Sequence, residues 1–266
     1  MPLPDMTRLT VVIPAYNEGS RLPATLRQIL DYLGNRRSAF EIVVVDDGSR
    51  DGTAQLAEGL LRPLGNRGRV FRHETNAGKG ASVRRGMLVA RGERVLFSDA
   101  DLSTPIEEVE KLEAALGAGA QIAIGSRAID RTLVERRQNA VREASGRVFN
   151  WLVRSIAVGG IRDTQCGFKL FTREVLEPIF SQQRLDGFGF DIELLAIAQR
   201  LGFPIAEVPV RWLNNPDSRV GVLRGAATFI DPFRVRLGLL CGYYDQVHPV
   251  SAVRDHGQTD HVPRRM

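Results

Sequence analysis

Short apolar runs alternate with amphipathic stretches along the first half of the chain. Residues 9–14 (LTVVIP), 40–45 (FEIVVV), 69–72 (RVFR), 94–98 (RVLFS) and 121–125 (QIAIG) read as strands. Between them, residues 21–33 carry Leu22, Leu26, Ile29, Leu30 and Leu33 at helical spacing. Residues 53–61, 80–90 and 105–116 read as further helices, the last opened by Pro105 at a position where proline is welcome. Continuous apolar strands separated by amphipathic helices predict an α/β fold, a mostly parallel sheet covered on both faces.

The second half is less regular. It predicts a long arginine-bearing helix over 135–158, strands over 168–171 and 206–213, and helices over 191–201 and roughly 222–243. The polar stretch after Gln246 reads as a disordered tail. No internal repeat or linker interrupts the pattern, so residues 1–246 are expected to form one domain, with 9–127 and 128–246 as its two halves.

Composition narrows the class. The chain has 266 residues, 43% hydrophobic and 25% charged, with a formal net charge of +5. Of its 36 basic residues only Lys79, Lys111 and Lys169 are lysines. Arginine's planar fork suits oxyanions, although arginine bias can also reflect genome composition. Two cysteines, Cys166 and Cys241, cannot build a disulfide scaffold or a zinc site by themselves, and a reducing compartment is the default. No signal peptide and no apolar run of spanning length is evident.

In open parallel sheets, ligands bind beyond the carboxyl ends of the strands. Here those ends are Pro14-Ala15-Tyr16-Asn17-Glu18, Asp46-Asp47-Gly48-Ser49, Asp99-Ala100-Asp101 and Gly125-Ser126-Arg127. Carboxylates gathered at one sheet edge repel, and a divalent cation with a phosphate ligand relieves that repulsion. Asp99 and Asp101, one residue apart after a buried strand, are the candidate ligands for Mg2+ or Mn2+. Asp46 and Asp47 either accept hydrogen bonds from a nucleobase or ribose, or simply form an Asp-Gly turn. Asn76-Ala77-Gly78-Lys79-Gly80 lacks the phosphate-loop pattern of ATPases. It either brings a helix start and Lys79 toward a phosphate or is a plain helix cap.

The set VVIPAYNE, VVVDDGSRDGT, NAGKGASVRRG, SDADLSTP and GSR closely resembles family 2 of the nucleotide-sugar glycosyltransferases, of GT-A fold. DTQCGFKLF, GFDIELL and EVPVRW extend the resemblance, most closely to the polyprenyl-phosphate glucosyltransferases, with mannosyl relatives close behind. It implies a Rossmann-like sheet with an acceptor-side C-terminal part, and a nucleoside pocket lined by Pro14, Tyr16, Asn17 and Glu18. Asp46 or Asp47 would touch the base, Asp99 and Asp101 would hold metal and donor diphosphate, and Ser126-Arg127 would sit near sugar or acceptor. Asp191 and Glu193 fall where relatives place an acid facing the acceptor. Ser218-Arg219-Val220 matches a segment usually written Ser-Lys-Val, whose cation approaches phosphates. Relatives of the mannosyl type often carry Gln-His-Pro after the paired acids, where this chain has Leu102-Ser103-Thr104-Pro105. The third metal ligand is therefore not assigned.

The implied activity is metal-dependent, inverting transfer of a hexose, glucose foremost, from UDP-glucose to a polyprenyl phosphate. GDP-mannose as donor or a saccharide hydroxyl as acceptor are the alternatives, and with a hydroxyl acceptor Asp191 would be the base. A non-catalytic nucleotide or nucleic-acid binder is remote, since aromatic RNA-binding motifs and a helix-turn-helix are not apparent. Residues 127–154 hold seven arginines (Arg127, Arg131, Arg136, Arg137, Arg142, Arg147 and Arg154) against Asp130, Glu135 and Glu143. Arg127, Arg131, Arg136 and Arg219 are thus candidates for gripping an acceptor phosphate. The apolar residues that follow could lie at a membrane interface or pack on the sheet, and residues 222–243 pose the same choice. A cytoplasmic enzyme visiting the cytoplasmic face of a membrane is the expected setting.

Overall fold

The computed structural model describes residues 7–36, 38–134, 153, 155–213 and 229–245. Its centre is a sheet of seven strands: β1 (Leu9–Ala15), β2 (Phe40–Asp46), β3 (Gly68–Arg72), β4 (Arg94–Ser98), β5 (Ile122–Ser126), β6 (Phe168–Thr172) and β7 (Ile205–Pro209). Their order is β3-β2-β1-β4-β6-β5-β7. All ladders are parallel except the two made by β6, which runs antiparallel between β4 and β5. The expected mostly parallel α/β sheet is therefore present, with one reversed strand in the middle.

Each strand feeds both faces. On β1, Val11 and Ile13 join one core cluster and Val12 the other; on β2, Ile42 and Val44 oppose Val43 and Val45. This period-2 division explains why the strands read as unbroken apolar runs. One face is covered by α1 (Leu22–Gly34), α2 (Thr53–Leu61) and α4 (Val109–Gly117). The other is covered by α3 (Lys79–Val89), α5 (Leu176–Phe180) and α6 (Phe190–Arg200). Helix α6 is buried along most of its length, so its acids Asp191 and Glu193 are interior groups. A further helix, α7 (Asp231–Leu240), packs on α6.

Two expectations need correction. The last strand stops at Pro209, not residue 213, because its partner β5 ends at Ser126. Beyond it, Arg211 leaves the sheet and binds Glu108, its Nε 2.7 Å from Oε1. Pro105 stands just outside its helix, which begins as a 3-10 turn at Ile106 before α4. The short α5 was not expected at all. The helix expected over 135–158 lies mostly outside the described residues; Val153 and Val158, near its end, are buried in the core. Arg136, Arg137, Arg142, Arg147, Arg154 and Arg219, and the stretch after Asp245, also lie outside them.

Candidate active site

The parallel register of β1, β2 and β4 brings their carboxyl ends side by side. A cavity of about 670 Å³ opens there. Its floor is Pro14, Ala15, Tyr16 and Glu18 after β1, Asp47 after β2, Lys79 at the head of α3, and Asp99-Ala100-Asp101 after β4. The facing wall is the segment Arg184–Phe188, with Asp231 and Arg234 of α7. Asn17, Asp46, Ser126, Arg127, Arg131 and Asp191 do not line it.

Asp47 has specific work at the rim. The Ala77 and Gly78 N–H groups each donate to its carboxylate at 2.9 Å, and His73 Nδ1 lies 2.9 Å from Oδ1. Asp46 is fully buried, accepts from the Ser49 N–H at 3.2 Å and faces Arg72 Nε at 3.3 Å. The pair thus shapes the strand-end turn, in which Gly48 has a φ of +74°, while Asp47 also reaches the cavity. Asn17 sits in the left-handed region (φ 53°) and caps the neighbouring turn, its Oδ1 accepting from the Arg50 N–H at 3.0 Å.

The Gly80 and Ala81 N–H groups donate to the Asp186 carbonyl at 2.7 and 3.3 Å, so protein rather than phosphate takes these helix-end donors. Gly78, at φ +109°, has no side chain because a Cβ would strike that carbonyl. With Asn76 and Gly78, the glycine-rich stretch offers the cavity the Lys79 ammonium, 2.7 Å from Asp99 Oδ1. The rings of Phe97, Phe188 and Phe190 surround it at 5.4–5.9 Å. Burial opposes its charge, yet Asp99 and then Asp191 hold its pKa above the ordinary lysine value.

Asp99 lies against the chain at Gly167, where a Cβ would collide with the carboxylate. Asp101 closes the turn by accepting from the Ser103 N–H at 3.0 Å, with Leu102 in the left-handed region (φ 47°). Among the described residues no three His, Cys, Asp or Glu groups gather to form a complete metal cage. Two carboxylates with the remaining positions left to phosphate oxygens and water is how Mg2+ is commonly held, so Asp99 and Asp101 fit such an ion.

The later motifs brace this floor. Lys169, fully buried in β6, pairs with Asp191 and donates to the Cys166 carbonyl at 2.6 Å. Burial raises the Asp191 carboxyl pKa above its ordinary range. Glu193 accepts from the Leu185 N–H and the Tyr244 hydroxyl, each at 2.8 Å, and from the Arg184 N–H, fixing the facing wall. Ser126 Oγ donates to Glu207 at 2.7 Å, and Glu207 also accepts from the Arg162 and Asp163 N–H groups. The Arg127 fork binds Asp163 through Nε (2.7 Å) and Nη2 (2.8 Å), with the Trp212 ring 5.4 Å from its guanidinium carbon. Arg131 is exposed on a 3-10 turn.

Sequence reasoning gave no roles to Gly167, Lys169, Glu207, the Arg184–Phe188 wall or Arg234. Lys169 alone carried a local signal, a lysine inside the apolar strand FKLF.

This strand-end cavity on a largely parallel, helix-covered sheet is the architecture of GT-A glycosyltransferases. Mannosyl-3-phosphoglycerate synthase from Rubrobacter xylanophilus superposes with a TM-score of 0.67 at 19% identity, over 91% of this chain and 77% of that one. Glucosyl-3-phosphoglycerate synthase from Mycobacterium tuberculosis, solved with Mn2+, UDP and glucosyl-3-phosphoglycerate, gives 0.62 at 22% identity, over 89% and 80%. At these identities the likeness is one of fold. The pattern of glycosyl transferase family 2 matches residues 10–180, and the chain belongs to that family. Human dolichyl-phosphate beta-glucosyltransferase is 40% identical over 226 residues, 80% of this chain and 69% of that protein. The enzyme of that name from Dictyostelium discoideum is 35% identical over 254 residues, 90% and 77%.

Proposed function

We propose that this glycosyltransferase moves glucose from UDP-glucose to a polyprenyl phosphate of the dolichyl type, with inversion at the anomeric carbon. The observation that carries it is the meeting of Asp99, Asp101 and Lys79 in one cavity, in a chain 40% identical to an enzyme named for glucose transfer to dolichyl phosphate. In the reaction an acceptor phosphate oxygen bonds to the anomeric carbon while the bond to the diphosphate breaks and UDP departs.

Asp99 and Asp101 would hold Mg2+ or Mn2+, which when bound supplies Lewis-acid neutralisation of the leaving diphosphate. Lys79 adds a fixed cation in a partly desolvated place, where charge acts strongly. Tyr16 presents a ring 37% exposed at the cavity, a face for the nucleobase. A phosphate monoester, with a second pKa of about 6, is largely dianionic at neutral pH, so the acceptor needs no strong base. Asp191 then serves by holding Lys169 and, through its charge, Lys79.

The test is a donor panel of UDP-glucose, GDP-mannose, UDP-N-acetylglucosamine and UDP-galactose with polyprenyl phosphate. Product is expected from UDP-glucose and is expected to vanish with chelator. Equal turnover of another donor, or turnover that survives metal removal, would overturn the proposal.

A further inference from the structure

Among the described residues four cations line the cavity: Arg21, Lys79, Arg184 and Arg234. Three of them meet a carboxylate. The Arg21 fork holds Glu18, its Nε 2.7 Å from Oε2. Lys79 lies 2.7 Å from Asp99, and Arg234 lies 3.4 Å from Asp231. The fourth, Arg184, is exposed, and its guanidinium meets no carboxylate among the described residues. The acids of its own wall are engaged elsewhere. Asp186 pairs with Arg84 at 2.9 Å. Glu193 accepts from the main-chain N–H groups of Arg184 and Leu185 and from the Tyr244 hydroxyl.

Those same bonds to Glu193 fix the Arg184 backbone. The side chain rests on Tyr243, its guanidinium carbon 5.0 Å from the ring centre. A stacked guanidinium spends its face on the ring and keeps its in-plane N–H groups for an oxyanion. Transfer from a nucleoside diphosphate to a phosphate monoester brings two anions into one cavity. The floor, with Lys79 and the metal that Asp99 and Asp101 would hold, answers the leaving diphosphate. Arg127 does not answer the second anion, because Asp163 takes both arms of its fork and it does not line the cavity. Arg184 stands on the wall that faces the floor, held in place and with its hydrogen-bond donors unspent.

We propose that Arg184 grips the acceptor phosphate, its fork taking two phosphate oxygens while Tyr243 holds its plane. The inference rests on the polyprenyl-phosphate reading and names the residue that receives that acceptor.

The full chain and its Arg184→Gln and Arg184→Lys variants are compared by calorimetry and steady-state kinetics. Farnesyl phosphate is the soluble probe, and farnesol is its phosphate-free control. The parent should bind farnesyl phosphate at least about tenfold more tightly than farnesol. Arg184→Gln should lose that advantage. Arg184→Lys should keep part of it, because an ammonium retains the charge without the fork. UDP should bind all three proteins alike, and their thermal melts should coincide because the side chain is exposed. In turnover, Arg184→Gln should raise KM for polyprenyl phosphate about tenfold and leave KM for the donor unchanged. Undiminished farnesyl phosphate binding by Arg184→Gln would overturn the proposal, as would a parent that binds farnesol equally well. So would an equal loss of UDP affinity, which would give this arginine to the donor diphosphate. If the parent transfers glucose to no prenyl phosphate, the proposed reaction fails instead, and calorimetry still decides whether Arg184 holds a phosphate monoester.

Discussion

Two buried carboxylates, Asp163 and Asp191, meet their cations in different ways. Asp163 takes both arms of the Arg127 fork (2.7 and 2.8 Å) and the backbone N–H groups of Arg127 (3.0 Å) and Gln165 (3.3 Å). Burial alone would raise its carboxyl, but Arg127 holds it below the ordinary range. Asp191 faces the single ammonium of Lys169, which also serves the Cys166 carbonyl, and here burial wins and the carboxyl is raised. A planar fork with two parallel bonds offsets desolvation more fully than a point charge shared with a second acceptor. The first pair is a brace tied through Glu207 to β5 and β7. The second stands at the head of α6, and its charge is felt at Lys79 on the cavity floor.

The division between floor and brace is testable by substitution. Asp99→Asn and Asp101→Asn, on the floor, should each lower turnover by about 10³-fold or more, roughly 4 kcal/mol of barrier. The Asp101→Asn melting temperature should stay close to the parent's, because that side chain is part-exposed, whereas Asp99→Asn should melt lower, because it takes the nearest charge partner from the Lys79 ammonium. Steady-state kinetics beside a thermal melt checks both; full turnover in either variant would move the site elsewhere. Asp163→Asn, in the brace, should do the reverse. Leaving the Arg127 fork against an amide should cost about 3 kcal/mol in urea unfolding, with kcat of the folded fraction near the parent's. Glu193→Gln is intermediate: it loosens the wall at Arg184 and Leu185, costs about 1–2 kcal/mol, and should raise KM several-fold more than it lowers kcat.

The floor was legible in the sequence because its parts are local. A strand, a turn and a pair of acids follow one another within a few residues, and parallel topology then sets the strand ends together. The braces were not legible in the same way. Arg127 and Asp163 are 36 positions apart, and Lys169 and Asp191 are 22 apart. Nothing in either segment says which acid meets which cation across a sheet edge. The reversed β6 was hidden for a related reason: a strand buried on both faces has the same apolar pattern in either direction. Helix α7 shows a third limit. Periodicity reveals that it has an apolar face, but only its packing on α6 shows that the larger apolar side chains point outward.

The smallest expected effect distinguishes the two pairs by sign. An acid whose folded pKa is lowered contributes stability that is present above its unfolded pKa, about 3.9, and is lost as pH falls through the folded value. That is Asp163. The stability gap between the parent and Asp163→Asn should therefore be level at neutral pH and narrow as pH drops below about 4. An acid whose folded pKa is raised contributes stability that is full below its unfolded pKa and is lost as pH rises through the folded value. That is Asp191. Relative to the parent, Asp191→Asn should then gain stability as pH rises from about 4. Urea unfolding of the three proteins from acid to neutral pH gives both slopes. The Lys169 ammonium would have compensated burial as fully as the Arg127 fork does if Asp191→Asn lost stability with rising pH as Asp163→Asn does.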